Sequence, residues 1–502
     1  MDQGDLISAE RPPLDAVQAA LRSWFRTQTG ATRLSRRIYL DSFDGLLYEQ
    51  GMIAFAEGAD HWLISRTESG PPRLVSVAEL ERLTGLRALL PLAEVELRTE
   101  TVNVLDGLEK TVARVVIEYP RVLSSAQSDD LPPSPVALAA RITVVGLRGY
   151  QRELAKVTEL LSRSEELTAA DELLADEVVR LSGRSPEGQS AAVKVPMDAA
   201  ERGDLVTARV LRRLLQVMNE TLPGAIADID SEFLHDYRVA VRRSRAVLKE
   251  LPGVFPPLVL ADARAEFRRL QEITGPTRDL DVWLLEFDEL AGRLTEDLRA
   301  SLEPLRELVK IRHAAARATM ELELRAGRTA ELHSFWAEQL ELLVLEDESE
   351  RPAASLPIGK LTAKRIRKVH ARMITMGTAI TADSPPQEYH DLRKRGKELR
   401  YLLELFGLPL HDHVVVRPLV KSLKGLQDVL GRHQDRDVQA QTLRTLAPEL
   451  IGQPGAPEAL MAIGVLVQQL EADAAQARAE FFASFASFAA EAQCELVLRT
   501  FR

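Results

Sequence analysis

Two rhythms of apolar and polar residues divide the chain. From about residue 200 onward, long Ala/Leu/Glu/Arg stretches place apolar residues every three to four positions, the period of amphipathic helices. Upstream of about residue 160 the apolar runs are short and β-branched. RRIYLDSFDGLLYEQGMIAFAEGADHWLISRT holds such runs between FDG and AEGAD turns, and an SGPP turn follows. VELRTETVNVLDGLEKTVARVVIEY sets two β-branched runs about a DG turn, the mark of a hairpin, and RITVVGLRGY adds a strand. One helix is predicted near residues 14–24. The expected fold class is an α+β domain over 1–160, an antiparallel sheet with a few helices, followed by an all-α domain over 201–502. LSGRSPEGQSAA marks 161–200 as a linker. EDESERPAASLP at 346–357 divides the helical part into 201–350 and 351–502.

These two helical portions repeat each other. LHDYRVAVRRSRAVLKEL begins at Leu234 and YHDLRKRGKELRYLLELF at Tyr389. Counted from each histidine, cations stand at +3, +7 and +10: His235, Arg238, Arg242 and Arg245, then His390, Arg393, Lys397 and Arg400. Position +14 is Lys249 in the first copy and Glu404 in the second. At about 100° per residue these offsets fall at about 0°, −60°, −20° and −80°, one narrow stripe about 15 Å long. Leu234, Val241, Leu248 and Leu251, matched by Leu392, Leu399, Leu403 and Phe406, form the adjoining apolar face. The cations therefore flank a core face, with stems packed and heads at the mouth of a groove. The match extends to Arg209 and Arg213 against Lys364 and Lys368, to Arg268 against Lys424, and to Leu270-Gln271 against Leu426-Gln427. Gly275 matches Gly431, and Asp279 and Asp281 match Asp435 and Asp437. A period of 155 to 156 residues suits two helical bundles related by a pseudo-twofold axis rather than a solenoid.

Composition sharpens the meaning of the stripe. The chain has 64 Lys and Arg against 75 Asp and Glu, a net charge of −11. Yet residues 360–400 hold eleven Lys or Arg and four Asp or Glu. Solvated helix faces tend to alternate sign, whereas like charges at i,i+3 and i,i+4 repel unless an anion compensates them. A shared anionic ligand is the expectation. The alternative for the histidines is a structural bond across the bundle. Asp279 and Asp435 are read as caps of a following helix, Asp281 and Asp437 are left undecided, and Trp283 and Trp336 are assigned to core or interface. The acidic total and the lack of interleaved aromatics disfavour nucleic acid. One cysteine, Cys494, excludes an internal disulfide and fits a reducing cytoplasm. No apolar run of membrane-spanning length occurs, MDQGDLISAERPP has no signal-peptide pattern, and no metal or cofactor motif is present.

The paired HxxRxxxRxxR-type helices, each followed by an LxxxxGxxxDxD segment, resemble the conserved histidine α-helical domain, CHAD. The resemblance covers about residues 200–502. It implies two four-helix bundles around a basic groove that binds inorganic polyphosphate in the cytoplasm, with association to polyphosphate granules left open. The implied ligand-facing set is His235, Arg238, Arg242, Arg245, His390, Arg393, Lys397 and Arg400, flanked by Arg209, Arg213, Arg268, Lys364, Lys368 and Lys424. Lys249 extends the first stripe, and Glu404 at the same place implies weaker binding at the far end of the second. YLDSFDGLLYEQGMIAFAEGADHWLI resembles the first strands of the CYTH, or triphosphate tunnel, family. The metal-binding ExExK motif of that family is not found before Tyr39, where the acids are Asp2, Asp5, Glu10 and Asp15. The resemblance thus implies a degenerate, catalytically silent domain. The other readings are a triphosphatase using Glu94, Glu96 or Glu118 and, less favoured, a phosphorelay histidine bundle.

Overall fold

The structure, a computed structural model, describes residues 6–8, 13–67, 72–123, 135–345 and 349–502. It divides into two compact units, residues 1–190 and 191–502. Asp2, Asp5, Glu10, part of the SGPP turn and the start of the 346–357 break lie outside the described residues.

The first unit is an antiparallel sheet of strands β1 (Leu6–Ser8), β2 (Arg26–Thr29), β3 (Arg33–Asp41), β4 (Met52–Glu57), β5 (Asp60–Ser65), β6 (Arg73–Val75), β7 (Leu90–Leu105), β8 (Thr111–Leu123), β9 (Val136–Ala137), β10 (Arg141–Gly146) and β11 (Leu167–Ala169). Its order is β11-β1-β10-β8-β7-β3-β4-β5-β6, with β2 on β7 and β9 on β8. The DG turn joins β7 to β8 as the alternation predicts, with Asp106 accepting from the amides of Leu108 and Lys110. Helices α1 (Pro13–Leu21), α2 (Leu46–Glu49), α3 (Val77–Thr84), α4 (Gln151–Ser162) and α5 (Leu174–Leu181) cover the sheet. Alternation sends Phe55 to a core shared with Leu174, Val178 and Val179 of α5, and Ala54 to a second core with Leu47 and Leu80. The expected linker at 161–200 is therefore corrected. Residues 161–190 complete the first unit, because β11 pairs with β1 and α5 buries an apolar face on the sheet. The run Tyr39, Asp41, Asp44, Leu47 builds a turn. Asp41 accepts from the amides of Ser42, Leu47 and Tyr48 at 2.7, 2.8 and 2.9 Å, and Asp44 pairs with Arg87 at 3.1 Å.

The second unit is helical: α6 (Gly203–Ala227), α7 (Ser231–Glu250), α8 (Pro257–Ala291), α9 (Glu296–Ala300), α10 (Glu303–Arg325), α11 (Gly327–Leu342), α12 (Ile358–Ala379), α13 (Pro386–Leu402), α14 (Leu408–Leu410), α15 (His413–Leu446), α16 (Ala456–Phe488) and α17 (Glu491–Thr500). A π-turn spans Leu403–Gly407. The histidines ride on α7 and α13, and all eight apolar positions predicted beside the stripes are buried. Asp230 caps α7, accepting from Glu232 and Phe233 amides at 2.9 and 3.1 Å, and the Pro385-Pro386 pair starts α13. The repeats share a core: Trp283, Phe287, Leu305 and Val309 of α8 and α10 pack with Leu443, Leu446, Ile463 and Leu466 of α15 and α16. Trp336 is buried against Phe255 and Phe267. At the starts of α6 and α12, Gly203 N donates to Leu356 O at 2.8 Å while Ile358 N donates to Glu201 O at 2.8 Å. Each bond joins residues that the 155-residue period makes equivalent to those of the other.

The expectation that Asp279 and Asp435 cap a new helix is corrected. Gly275-Pro276 and Gly431 lie inside α8 and α15, which run unbroken for 35 and 34 residues. A helix tolerates one glycine at about 1 kcal/mol, and these glycines serve side-chain approach rather than a stop. No single helix among the described residues is long and apolar enough to cross a membrane.

Candidate functional site

The two histidine helices open onto one cavity of about 540 Å³. α7 contributes His235, Arg238 and Arg242, α13 contributes His390 and Arg393, and α8 and α15 supply Arg278, Asp279, Glu286, Gln434, Asp435 and Gln439, with Trp283 as an apolar wall. A second cavity of about 390 Å³ adjoins it, sharing Arg238 and Asp279 and adding Arg245 and Arg268. A third, of about 380 Å³, shares Val438 and Thr442 and adds Arg312, Gln441 and Thr445. The three cavities thus have wall residues in common along α7, α8 and α15.

Each arginine at +3 is held on its own repeat's glycine. Arg238 Nη1 donates to Gln271 O at 3.0 Å and Thr274 Oγ1 at 2.7 Å. It lies 3.7 Å from where a Cβ on Gly275 would stand. Arg393 Nη2 donates to Asp435 Oδ1 at 3.0 Å and lies 3.7 Å from the Cβ position of Gly431. The duplicated glycine is thus a seat for a guanidinium. Arg245 donates to Gln271 Oε1. Gln439 donates to Glu286 at 2.7 Å, tying the two walls together.

The histidines have unlike neighbours. His390 Nδ1 donates to Gln434 Oε1 at 2.9 Å, whereas His235 faces Arg278, which donates to Ser231 O at 3.1 Å and lies 3.6 Å from Glu232. Burial, then the Arg278 charge, holds His235 below the ordinary imidazole range. Arg278 and Gln434 are equivalent in the repeat, and each immediately precedes a matched aspartate, the signal that could have revealed them.

Arg242, in the wall of the largest of these cavities, and Lys397 come from opposite repeats and lie close enough to repel each other. Neither has a hydrogen bond or ion pair among the described residues, and the Arg242 Nε is buried and unpartnered. Burial, then repulsion from Arg393 and Arg242, brings the Lys397 ammonium down to about 8. Burial and Arg242 likewise bring Arg238 down to about 10.

Other residues from the sequence-predicted set lie elsewhere. Arg209 is bound to Pro196 O and Glu201, while Arg213 donates to Ala192 O at 3.3 Å and lies 3.5 Å from Glu220. Both therefore hold the segment entering α6. Lys249 pairs with Glu398 across the repeats, and Arg400 lies 3.6 Å from Glu404. Lys364, Lys368 and Lys424 are exposed. Asp281 meets His313 Nε2 at 2.7 Å, a bond between α8 and α10.

Residues 209–444 match the family model described as the CHAD domain. Among solved structures, the CHAD domain from the plant Ricinus communis is 26% identical, with a TM-score of 0.48, covering 59% of this chain and 95% of its own. PptA from Streptomyces chartreusis is 17% identical, with a TM-score of 0.45, covering 57% of this chain and 99% of its own. No curated protein matches. The helical part of this chain, with its duplicated histidine helices, carries a CHAD domain.

Proposed function

We propose that the helical unit binds inorganic polyphosphate in the trough between its repeats, without chemistry. The carrying observation is the Arg242–Lys397 meeting point: two half-buried cations beside Arg238 and Arg393, with no carboxylate bonded to either. Unpaired like charges in a partly dry site are costly, and an anion between them turns repulsion into attraction. A chain of phosphates fits better than a single anion, because the cations continue from this centre through Arg238 to Arg245 and Arg268. Arginine offers bidentate contacts to successive phosphates and asks for no base to read. Protonation of a histidine beside phosphates tightens their binding as pH falls, and for His235, whose charged form burial and Arg278 oppose, that gain is displaced to lower pH.

The non-catalytic reading has its own support in the first unit. Glu57 and Glu118 pair with Arg37 at 2.8 and 3.0 Å, Glu94 with Arg36 at 2.5 Å, and Glu177 with Arg141. Carboxylates so engaged are poorly placed to hold a divalent metal against a triphosphate. Placement of the protein in the cytoplasm or on polyphosphate granules belongs to the same proposal.

Titration of long-chain polyphosphate against the wild type and a His235→Ala/Arg242→Ala/His390→Ala/Lys397→Ala variant tests the reading. Loss of binding in the variant is expected, and equal affinity refutes the site. Release of phosphate from tripolyphosphate with Mg²⁺ or Mn²⁺ would overturn the non-catalytic part.

A further inference from the structure

The repeats diverge where their third cation meets its glutamine. In the first, Arg245 is bonded to Gln271, and the buried residue four positions before Arg245 is Val241. The equivalents are Arg400, Gln427 and Gly396, and there the pair is not made. Gln427 is 7% exposed, yet neither its amide oxygen nor its nitrogen has a hydrogen-bond partner. Its Nε2 lies 3.2 Å from where a Cβ on Gly396 would stand, so the amide sits in the notch left by the missing side chain. Arg400, deprived of that carbonyl, lies 3.6 Å from Glu404, which also accepts from Arg243 at 3.1 Å. In the first repeat this place belongs to Lys249, on a helix that stays α-helical to Glu250. In the second, the helix widens into the Leu403–Gly407 π-turn at this point, a distortion often found where side chains are re-aimed for function.

We propose that Glu404 makes the site selective for chain length. It holds Arg400 in an internal ion pair that only a polyanion long enough to reach both repeats displaces, and Gln427 then turns out of its notch to hold the freed guanidinium. This inference rests on the polyphosphate reading above. The first repeat is the preformed half, with Arg238 and Arg245 already bonded in place, and takes short oligophosphates. The second repeat is latent. An orphaned buried amide is costly, so the released state, with Gln427 paired, offsets part of what breaking the Glu404 contact costs.

Calorimetric titration of tripolyphosphate and of long-chain polyphosphate against wild type, Glu404→Gln and Gly396→Ala tests this. Glu404→Gln should tighten long-chain binding about threefold, the factor that a part-exposed ion pair commands, and leave tripolyphosphate unchanged. Gly396→Ala presses the Gln427 amide outward by a few tenths of an ångström, also favours the helix, and should move long-chain affinity the same way. The second variant keeps the Glu404–Arg243 contact, so a folding defect in Glu404→Gln does not decide the matter. Unchanged long-chain affinity in both variants, or equal tightening for tripolyphosphate, overturns the role of Glu404 while leaving the groove intact. A wild type that binds neither ligand overturns the groove itself.

Discussion

Arg238→Met separates the cost of building the trough from its use. Arg238 is 8% exposed and sits where two cavities meet. Burial and Arg242 pull its guanidinium from the ordinary arginine value down to about 10, which amounts to about 3 kcal/mol borne by the folded protein to keep the charge at neutral pH. The sign follows from linkage: a cation whose folded pKa is depressed burdens the fold at every pH below about 10, and the burden fades from there up to the value of an unburied arginine. Against this, the bonds from the charged guanidinium to Gln271 O and Thr274 Oγ1 contribute about 3 kcal/mol together, at about 1.5 kcal/mol each. Thr274 retains its bond to Leu270 O at 2.6 Å, so little is left orphaned when the guanidinium goes. The two nearly cancel, so Arg238→Met is expected to keep its stability within about 1 kcal/mol of wild type, a change in melting temperature of no more than a few degrees. Polyphosphate affinity should fall about 10- to 100-fold, the worth of one or two charged hydrogen bonds. Thermal melts of the free protein, followed by calorimetric titration at pH 7, measure both. A melting temperature lowered by several degrees, or affinity unchanged, would show that Arg238 supports the fold rather than the ligand.

Three further outcomes follow from the same geometry. Because Lys397 lies near 8 in the free protein, polyanion binding at pH 8.5 should take up a fraction of a proton, read as a buffer-dependent binding enthalpy, and Lys397→Met should abolish it; enthalpy independent of buffer counts against the site. Gly431→Leu should unseat Arg393 and weaken binding about tenfold, whereas Gly431→Ala, whose Cβ would stand 3.7 Å from the guanidinium, should bind normally; equal affinity of the two contradicts the seat. If about six phosphates are neutralised, log affinity should fall against log salt with a slope of about −4, by analogy with single-stranded nucleic acid, and a slope near zero rejects an electrostatic grip.

The site was legible in the sequence to the extent that periodicity and duplication carry it. A 155-residue repeat of cations at +3, +7 and +10 located α7 and α13, and the apolar positions beside them fixed which edge faces the core. What failed was the reading of glycine. Gly275 and Gly431 look like helix stops, yet each lies mid-helix beneath an arginine from another helix, a tertiary cause that one-dimensional pattern does not contain. Arg209 and Arg213 match Lys364 and Lys368 in sequence, but the two carbonyls and two carboxylates that occupy them come from Ala192, Pro196, Glu201 and Glu220. Backbone acceptors leave no trace in composition. The linker misassignment has a similar origin, since β11 is three residues long and α5 eight, too short for a periodic signal.

The reciprocal pair of backbone bonds between Glu201–Gly203 and Leu356–Ile358 is self-complementary: each side offers the same donor and acceptor that it accepts. A chain holding one repeat would present half of such a handshake and could complete it only by recruiting a twin. Fusing both partners in tandem removes any dependence on protein concentration. It also lets each half carry its own residue at an equivalent place, as with Lys249 and Glu404.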